Sequence, residues 1–229
     1  DSRTHFGIFA PGVTQLFPDG HIINLHPWEH NEVAPALAAA MQTDVPIVAL
    51  HLTRPPVEIP DRKKLGMASH LDASKGAYII KDYDKDLDKK GVVIVRGTSS
   101  TNSVVQILDQ LKEESINVKI VSAVSWQLFK NQSKQYREAI LNDQEWADSM
   151  IITNSALRLM HNWTANKVVE NYSMSPDYDN RWRTGGSVDE IIAESKLDGK
   201  SVIDGIRKFA DERSNRLELI KKYIPISRV

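Results

Sequence analysis

Three stretches of this 229-residue chain carry residue types spaced for chemistry. His26-Pro27-Trp28-Glu29-His30 spells H-x-x-E-H, a zinc-peptidase pattern that needs both histidines on one helical face. Pro27 favours the first helical position, which leaves His26 outside the helix as its cap. No third ligand is apparent, so the stretch reads as a strand-to-helix turn with Glu29 and Glu32 at the positive end of the helix dipole. Gly97-Thr98-Ser99-Ser100-Thr101 precedes a helical pattern and can offer free N–H groups to an anion. It lacks both G-x-G-x-x-G and Walker spacing, so capping by Ser or Thr is the expected role. Arg181-Trp182-Arg183 is a basic cluster of the kind that meets phosphate. One such cluster in a chain of net charge −1 does not predict a nucleic-acid partner.

The elements that must position these residues are those of an α/β protein. Ile22–Leu25 reads as a short strand, residues 29–41 as an Ala- and Leu-rich helix, and Val45–Thr53 as a continuous apolar run of the buried or parallel type. Residues 55–75 hold three prolines in the first six positions and little periodicity, and read as a linker. Ala77–Lys81 begins a second unit as a strand. Residues 82–90 read as a charged hairpin tip, which would pair that strand antiparallel with Val92–Val95. Residues 103–114 place Val104, Ile107, Leu108 and Leu111 on one helical face, and Val118–Ala123 completes a β-α-β unit. Further helices are expected at residues 129–141, 187–193 and 200–223. Strands are expected at residues 150–153 and 167–172, giving a mixed five-stranded sheet. Lys119, Lys130, Lys134 and Arg137 read as solvated faces, and the five tryptophans as core or interface packing.

Composition narrows the classes. Hydrophobic residues at 41% and charged residues at 26% are ordinary for a globular chain. The absence of cysteine excludes disulfides and thiolate chemistry. No apolar run approaches the roughly 20 residues of a membrane helix. The sequons at Asn131, Asn162 and Asn171 follow no signal peptide and read as chance. The start, Asp1-Ser2-Arg3-Thr4-His5, has neither an initiator Met nor a targeting pattern, and is expected to lie inside a domain.

The run V-S-x-x-S-x-x-x-F-x-x-Q-S-x-x-Y-R-E-A-I-L from Val121 to Leu141 resembles the C-terminal domain of transketolases, thiamine diphosphate enzymes that move two-carbon ketol units between sugars. Gly76-Ala77-Tyr78-Ile79-Ile80-Lys81-Asp82 resembles the start of that domain. Thr4-His5-Phe6, the stretch from His26 to Glu32, and Leu50-His51-Leu52-Thr53-Arg54-Pro55 are similar to segments of the family's pyrimidine-binding domain. Arg183–Ser187 resembles a family turn more weakly. The resemblance implies residues 1–56 as the C-terminal part of the pyrimidine-binding domain, 57–75 as linker, and 76–229 as a complete C-terminal domain.

It also implies two site residues. His5 matches a loop histidine that contacts the donor sugar near the cleaved bond and can donate to a substrate oxygen or exchange protons near neutral pH. Arg54 matches an arginine that grips the substrate phosphate through its planar fork. The family's loop Asp and second His are replaced by Val13 and Phe17, which leaves sugar stereochemistry open. The glutamate that activates the cofactor and the domain for diphosphate and Mg²⁺ have no counterpart in the sequence. The implied protein is a cytoplasmic, homodimer-type transketolase of the pentose phosphate pathway that uses thiamine diphosphate and Mg²⁺ on sugar phosphates. This chain would be one part of it, inactive alone, with the remaining domains on another chain or segment. The alternatives are the β component of a 2-oxo acid dehydrogenase and a non-catalytic assembly module.

Overall fold

The structure, a computed structural model, describes residues 7–53, 56–181, 183 and 185–223. A 3₁₀ segment, Gly7–Leu16, leads into strand β1 (Ile22–Leu25), a short 3₁₀ turn, and helix α1 (Val33–Met41). Strand β2 (Ile47–Leu50) returns parallel to β1, pairing Ile22 with Ile47 and Leu25 with Leu50. Glu29, not His26, caps the turn after β1, accepting a 2.6 Å hydrogen bond from the Asn31 amide.

The main sheet is built from β3 (Ala77–Lys81), β4 (Val92–Arg96), β5 (Lys119–Ala123) and β6 (Ser149–Thr153), in the order β3-β5-β4-β6. β4 runs parallel to both β5 and β6, and β3 runs antiparallel to β5 at the edge. The sheet is therefore mixed, as expected, but has four strands rather than five. Residues 167–172 form helix α7 (Lys167–Tyr172) because the Asn166 side chain caps it, accepting from the Val169 amide at 3.0 Å. What remains of a fifth strand is one parallel bridge between Met174 and Ile152.

The expected β3–β4 hairpin is also absent. β4 has both edges taken by parallel strands reached through helices, so β3 lands outside β5. Residues 82–91 are a crossing segment pinned by buried Asn117, whose Nδ2 donates to the Asp84 and Leu87 carbonyls at 2.9 and 2.8 Å. Asn117 Oδ1 accepts from the Asp84 amide at 2.8 Å.

Helices cover both faces. After β4 come α2 (Thr98–Gln106) and α3 (Leu108–Glu113), separated at Ile107, where one continuous helix was expected. After β5 come α4 (Trp126–Lys130), α5 (Lys134–Ile140) and α6 (Asp143–Ala147). The break between α4 and α5 follows from a new cap: Ser133 accepts from the Tyr136 amide at 3.2 Å. α8 (Val188–Glu194), α9 (Gly199–Asp211) and α10 (Arg213–Tyr223) close the chain's described part. None of the described helices is long and apolar enough to cross a membrane.

Alternation along the buried strands divides the core. Val93, Val95, Ile120, Met150 and Ile152 face one side, together with Ile23, Leu25, Trp28 and Ala36 of the first unit. Val92, Ile94, Val121 and Ile151 face the other, against Phe129 and Trp163. Burying both faces of the parallel strands explains their unbroken apolar runs. Lys119 departs from the solvated role expected of it. It is buried on β5, and its ammonium donates to the Ala139 carbonyl at 3.1 Å and to Glu145 at 3.0 Å.

A polar clasp ties the first unit to β3. Arg62, in the 56–75 segment, donates at 2.8 Å to both Glu29 and Glu32. Trp28 Nε1 donates to the Tyr78 hydroxyl at 2.8 Å, and that hydroxyl donates to Glu32. Burial pushes the Glu32 carboxyl up, while hydrogen bonds from Tyr78, the Trp28 amide and Arg62 pull the other way.

Candidate functional site

The C-terminal ends of β1, β2, β4 and β5 converge, and α/β sheets place ligands at such ends. Two backbone-level contacts bring the small sheet to the large one. The His26 amide donates to the Val124 carbonyl at 2.8 Å, and the Asn24 amide donates to Gln127 Oε1 at 3.3 Å. Between them lie two small adjoining clefts that share Gln15, Asn24, Gln127 and Asn162.

The polar groups there form a small network. The Thr14 hydroxyl donates to Asn24 Oδ1. His51 Nε2 lies 3.0 Å from the same Oδ1 and 3.3 Å from Thr14 Oγ1. The His51 ring stacks on His26 with centroids 4.4 Å apart and planes 7° from parallel. Arg96, the last residue of β4, lines the first cleft and is buried. Its Nη1 donates at 3.0 Å to the Leu159 carbonyl, which also accepts from Gln15 at 2.9 Å.

Burial controls the charges. It holds His26 well below the usual imidazole range, with Arg96 and then His51 adding to the effect. Burial and then Arg96 lower His51 to about 4. Burial lowers Arg96 to about 9, which leaves it a cation at neutral pH. The first cleft thus combines one guanidinium with the neutral imidazole of His26, on which His51 stacks, a setting suited to binding negative charge and to hydrogen bonding rather than to general-acid chemistry near pH 7.

Gly97 makes this geometry possible. Its φ is +97°, and a Cβ there would stand 1.9 Å from Asn154 Oδ1. Only glycine fits a left-handed conformation pressed against a side chain. Gly97 itself occupies the cap position of α2, with no side-chain capping bond, so the expected Ser or Thr cap is not formed. The Ser100 hydroxyl instead turns back to the Arg96 carbonyl at 2.5 Å.

The two site residues expected from sequence, His5 and Arg54, lie outside the described residues. Val13 and Phe17 are exposed, at 68% and 45%. Phe17 lines the second cleft beside Thr14. The H-x-x-E-H residues are split by the fold: His26 stacks on His51, Glu29 binds Arg62, and His30 is exposed. Among the described residues no group of three or more His, Asp or Glu comes together to hold a metal. In the basic cluster, Arg183 is buried and paired with Asp179, with its guanidinium 5.0 Å above the Tyr178 ring. Trp182 lies outside the described residues.

Sequence reasoning passed over Arg96, Asn24 and His51. Arg96 had a signal: a charged residue ending a four-residue apolar run and followed by glycine marks a strand's C-terminal edge. The motif from Val121 to Leu141 supplies one wall of the first cleft, through Val124 to Gln127, and is otherwise scaffolding. Ser125 and Ser133 cap helices, and the Tyr136 hydroxyl donates to the Ala77 carbonyl at 2.8 Å, fixing α5 to β3.

Residues 76–175 match the family described as transketolase-like TK C-terminal domain. Among curated proteins, Transketolase 7 of Craterostigma plantagineum is 35% identical over 145 residues, covering 62% of this chain and 20% of the relative. A chloroplastic transketolase of Zea mays is 34% identical over 128 residues, covering 53% of this chain and 17% of the relative. The chain therefore spans about a fifth of the length of these relatives. Among solved structures, a transketolase variant from Pichia stipitis superposes with a TM-score of 0.72 at 21% identity, over 94% of this chain and 29% of the other. The same organism's transketolase in complex with sedoheptulose-7-phosphate gives 0.69 at 21% identity, over 91% and 28%. At that identity the structural likeness shows a shared fold. With the sequence match over residues 76–175, it identifies that part of the chain as a transketolase-like C-terminal domain.

Proposed function

We propose that this chain works within a thiamine diphosphate-dependent transketolase, an enzyme that moves a two-carbon ketol unit from a ketose phosphate to an aldose phosphate. The observation that carries the reading is the match of residues 76–175 to the transketolase-like domain, on a fold alike over 94% of the chain. The complex of the Pichia stipitis enzyme with sedoheptulose-7-phosphate supports a phosphorylated ketose as substrate class. In this reading residues 1–56 complete a pyrimidine-binding domain, 57–75 link it onward, and 76–229 form the C-terminal domain. His5 hydrogen-bonds the donor sugar near the bond that breaks, and Arg54 holds the phosphate.

The described residues do not fit a Mg²⁺ diphosphate site, because they bring no metal-binding group together. We assign thiamine diphosphate and Mg²⁺ to other domains, met across a two-protomer assembly in the cytoplasm. The test is reconstitution: the chain is combined with the cofactor-binding domains and ketol transfer is measured from a pentulose phosphate. Arg54→Ala is expected to raise KM for phosphorylated donors about 10-fold or more, the effect of losing a charged hydrogen bond. His5→Ala is expected to lower kcat/KM by about 10²-fold or more. Full activity in both variants sinks the site assignment.

A second reading, a non-catalytic assembly module, draws on Val13 and Phe17, which are exposed at the positions where the family has polar loop residues. Reconstituted particles that assemble without turning over any sugar phosphate favour it.

A further inference from the structure

Among the described residues Arg96 has no counter-ion. It is 5% exposed, and of its five N–H groups those on Nε and Nη2 are buried with no hydrogen-bond partner. Among the described residues no Asp or Glu lines the cleft that Arg96 borders. A buried ion left uncompensated is costly, and buried polar groups in folded proteins are almost always paired. The chain nevertheless holds the guanidinium rigidly. Nη1 is anchored to the Leu159 carbonyl, and Gly97 lets Asn154 close against the adjoining backbone. The unpaired edge belongs to the central strand, at the sheet edge where ligands bind, with Gln127 and Asn162 lining the same cleft.

We propose that Arg96 is an oxyanion-binding residue, taking an anionic group in the cleft between the ends of β1, β4 and β5, either as free phosphate or as the phosphoryl end of a small sugar phosphate. The planar fork offers two N–H groups to two oxygens of such a group. His26, which lines the same cleft, is neutral and adds no competing positive charge. The inference does not rest on ketol transfer, and it assigns a residue distinct from Arg54.

The test uses the full chain carrying Arg54→Ala, which removes the other phosphate contact proposed above. Binding of inorganic phosphate and of a pentose 5-phosphate is followed by calorimetry and by the thermal midpoint, in chloride of matched ionic strength. Saturable binding is expected, and Arg96→Met in the same background should weaken it about tenfold or more. Without phosphate, Arg96→Met should melt no earlier than its parent, because it removes an unpaired buried charge. Tighter binding of the sugar phosphate assigns the site to a phosphorylated ligand, and equal binding assigns it to phosphate itself. The proposal is overturned by the absence of saturable binding at tens of millimolar, or by undiminished binding in Arg96→Met. If Arg96→Met does not fold, the Arg96 Nε–Hε resonance decides: it must shift on phosphate addition, and a resonance that stays put refutes the assignment.

Discussion

Arg62→Ala would remove the guanidinium shared by two buried carboxylates. Glu29 is 4% exposed and Glu32 is fully buried. Arg62 donates to each at 2.8 Å and its carbon centre stands 5.7 and 5.4 Å from the Trp28 and Tyr78 rings. Breaking a buried ion pair by deleting one partner costs about 3–5 kcal/mol, most of it the penalty of the charge left behind. The ring contacts add about 0.5–2 kcal/mol. Against a total stability on the order of 5–15 kcal/mol, the variant should lose a third or more.

Urea unfolding followed by tryptophan fluorescence is the assay, because Trp28 is buried within the clasp and bonded to Tyr78. With an m-value of about 2–3 kcal/mol/M, the midpoint should fall by about 1–3.5 M. Acid should narrow the gap. Burial already favours the neutral Glu32 carboxyl, and without Arg62 that preference grows. The folded variant therefore binds a proton more readily than its unfolded chain, and it gains on the parent as pH falls from 7 to 4.5. Replacing Arg62, Glu29 and Glu32 together by Met, Gln and Gln should recover most of the loss. A deficit under about 1 kcal/mol, the level of an exposed pair, or a gap that ignores pH, would refute the reasoning.

Three further outcomes follow from the structure. His26 and His51 stay neutral in the fold, with His51 held at about 4, while the unfolded chain titrates near 6.5. Their contribution is complete above that value and is lost as pH falls, by at most about 1.4 kcal/mol per pH unit per ring, and less for the partly exposed His51. Urea midpoints between pH 7.5 and 5 should flatten in a His26→Gln/His51→Gln variant, and an unchanged slope contradicts this. Gly97→Ala should destabilise by about 1–3 kcal/mol from backbone strain alone, with the Asn154 clash added. Asn154→Ala should relieve only the clash, as chemical denaturation of the double variant will show. Arg216, fully buried, bonds Asp148 at 2.7 Å and the Lys90 carbonyl at 2.9 Å and stacks 3.5 Å from the Phe209 ring. Arg216→Ala should cost about 3–5 kcal/mol and speed amide exchange throughout α10, and protection equal to the parent's would show that α10 docks without it.

Local rules written in the chain determined much of this protein. The apolar run Val92–Val95, the helical spacing after it and the run Val118–Ala123 specify a parallel β-α-β unit, because each is a pattern of neighbours. The segment from Val121 to Leu141 pointed to the transketolase-like domain for a related reason: Ser125 and Ser133 cap helices within it, a pattern of neighbours, although Tyr136 braces a strand far away in the chain. Tertiary structure alone decided which strand lies beside which. β3 passed over β4 to reach β5 because both edges of β4 were already committed, a long-range fact no window of sequence contains. It likewise decided the state of the charges. Packing made Lys119 and Arg183 buried partners of carboxylates and Arg62 a half-buried one. Among the described residues it left Arg96 buried with none, because the cost of a charge depends on what surrounds it in space and not on its neighbours in sequence.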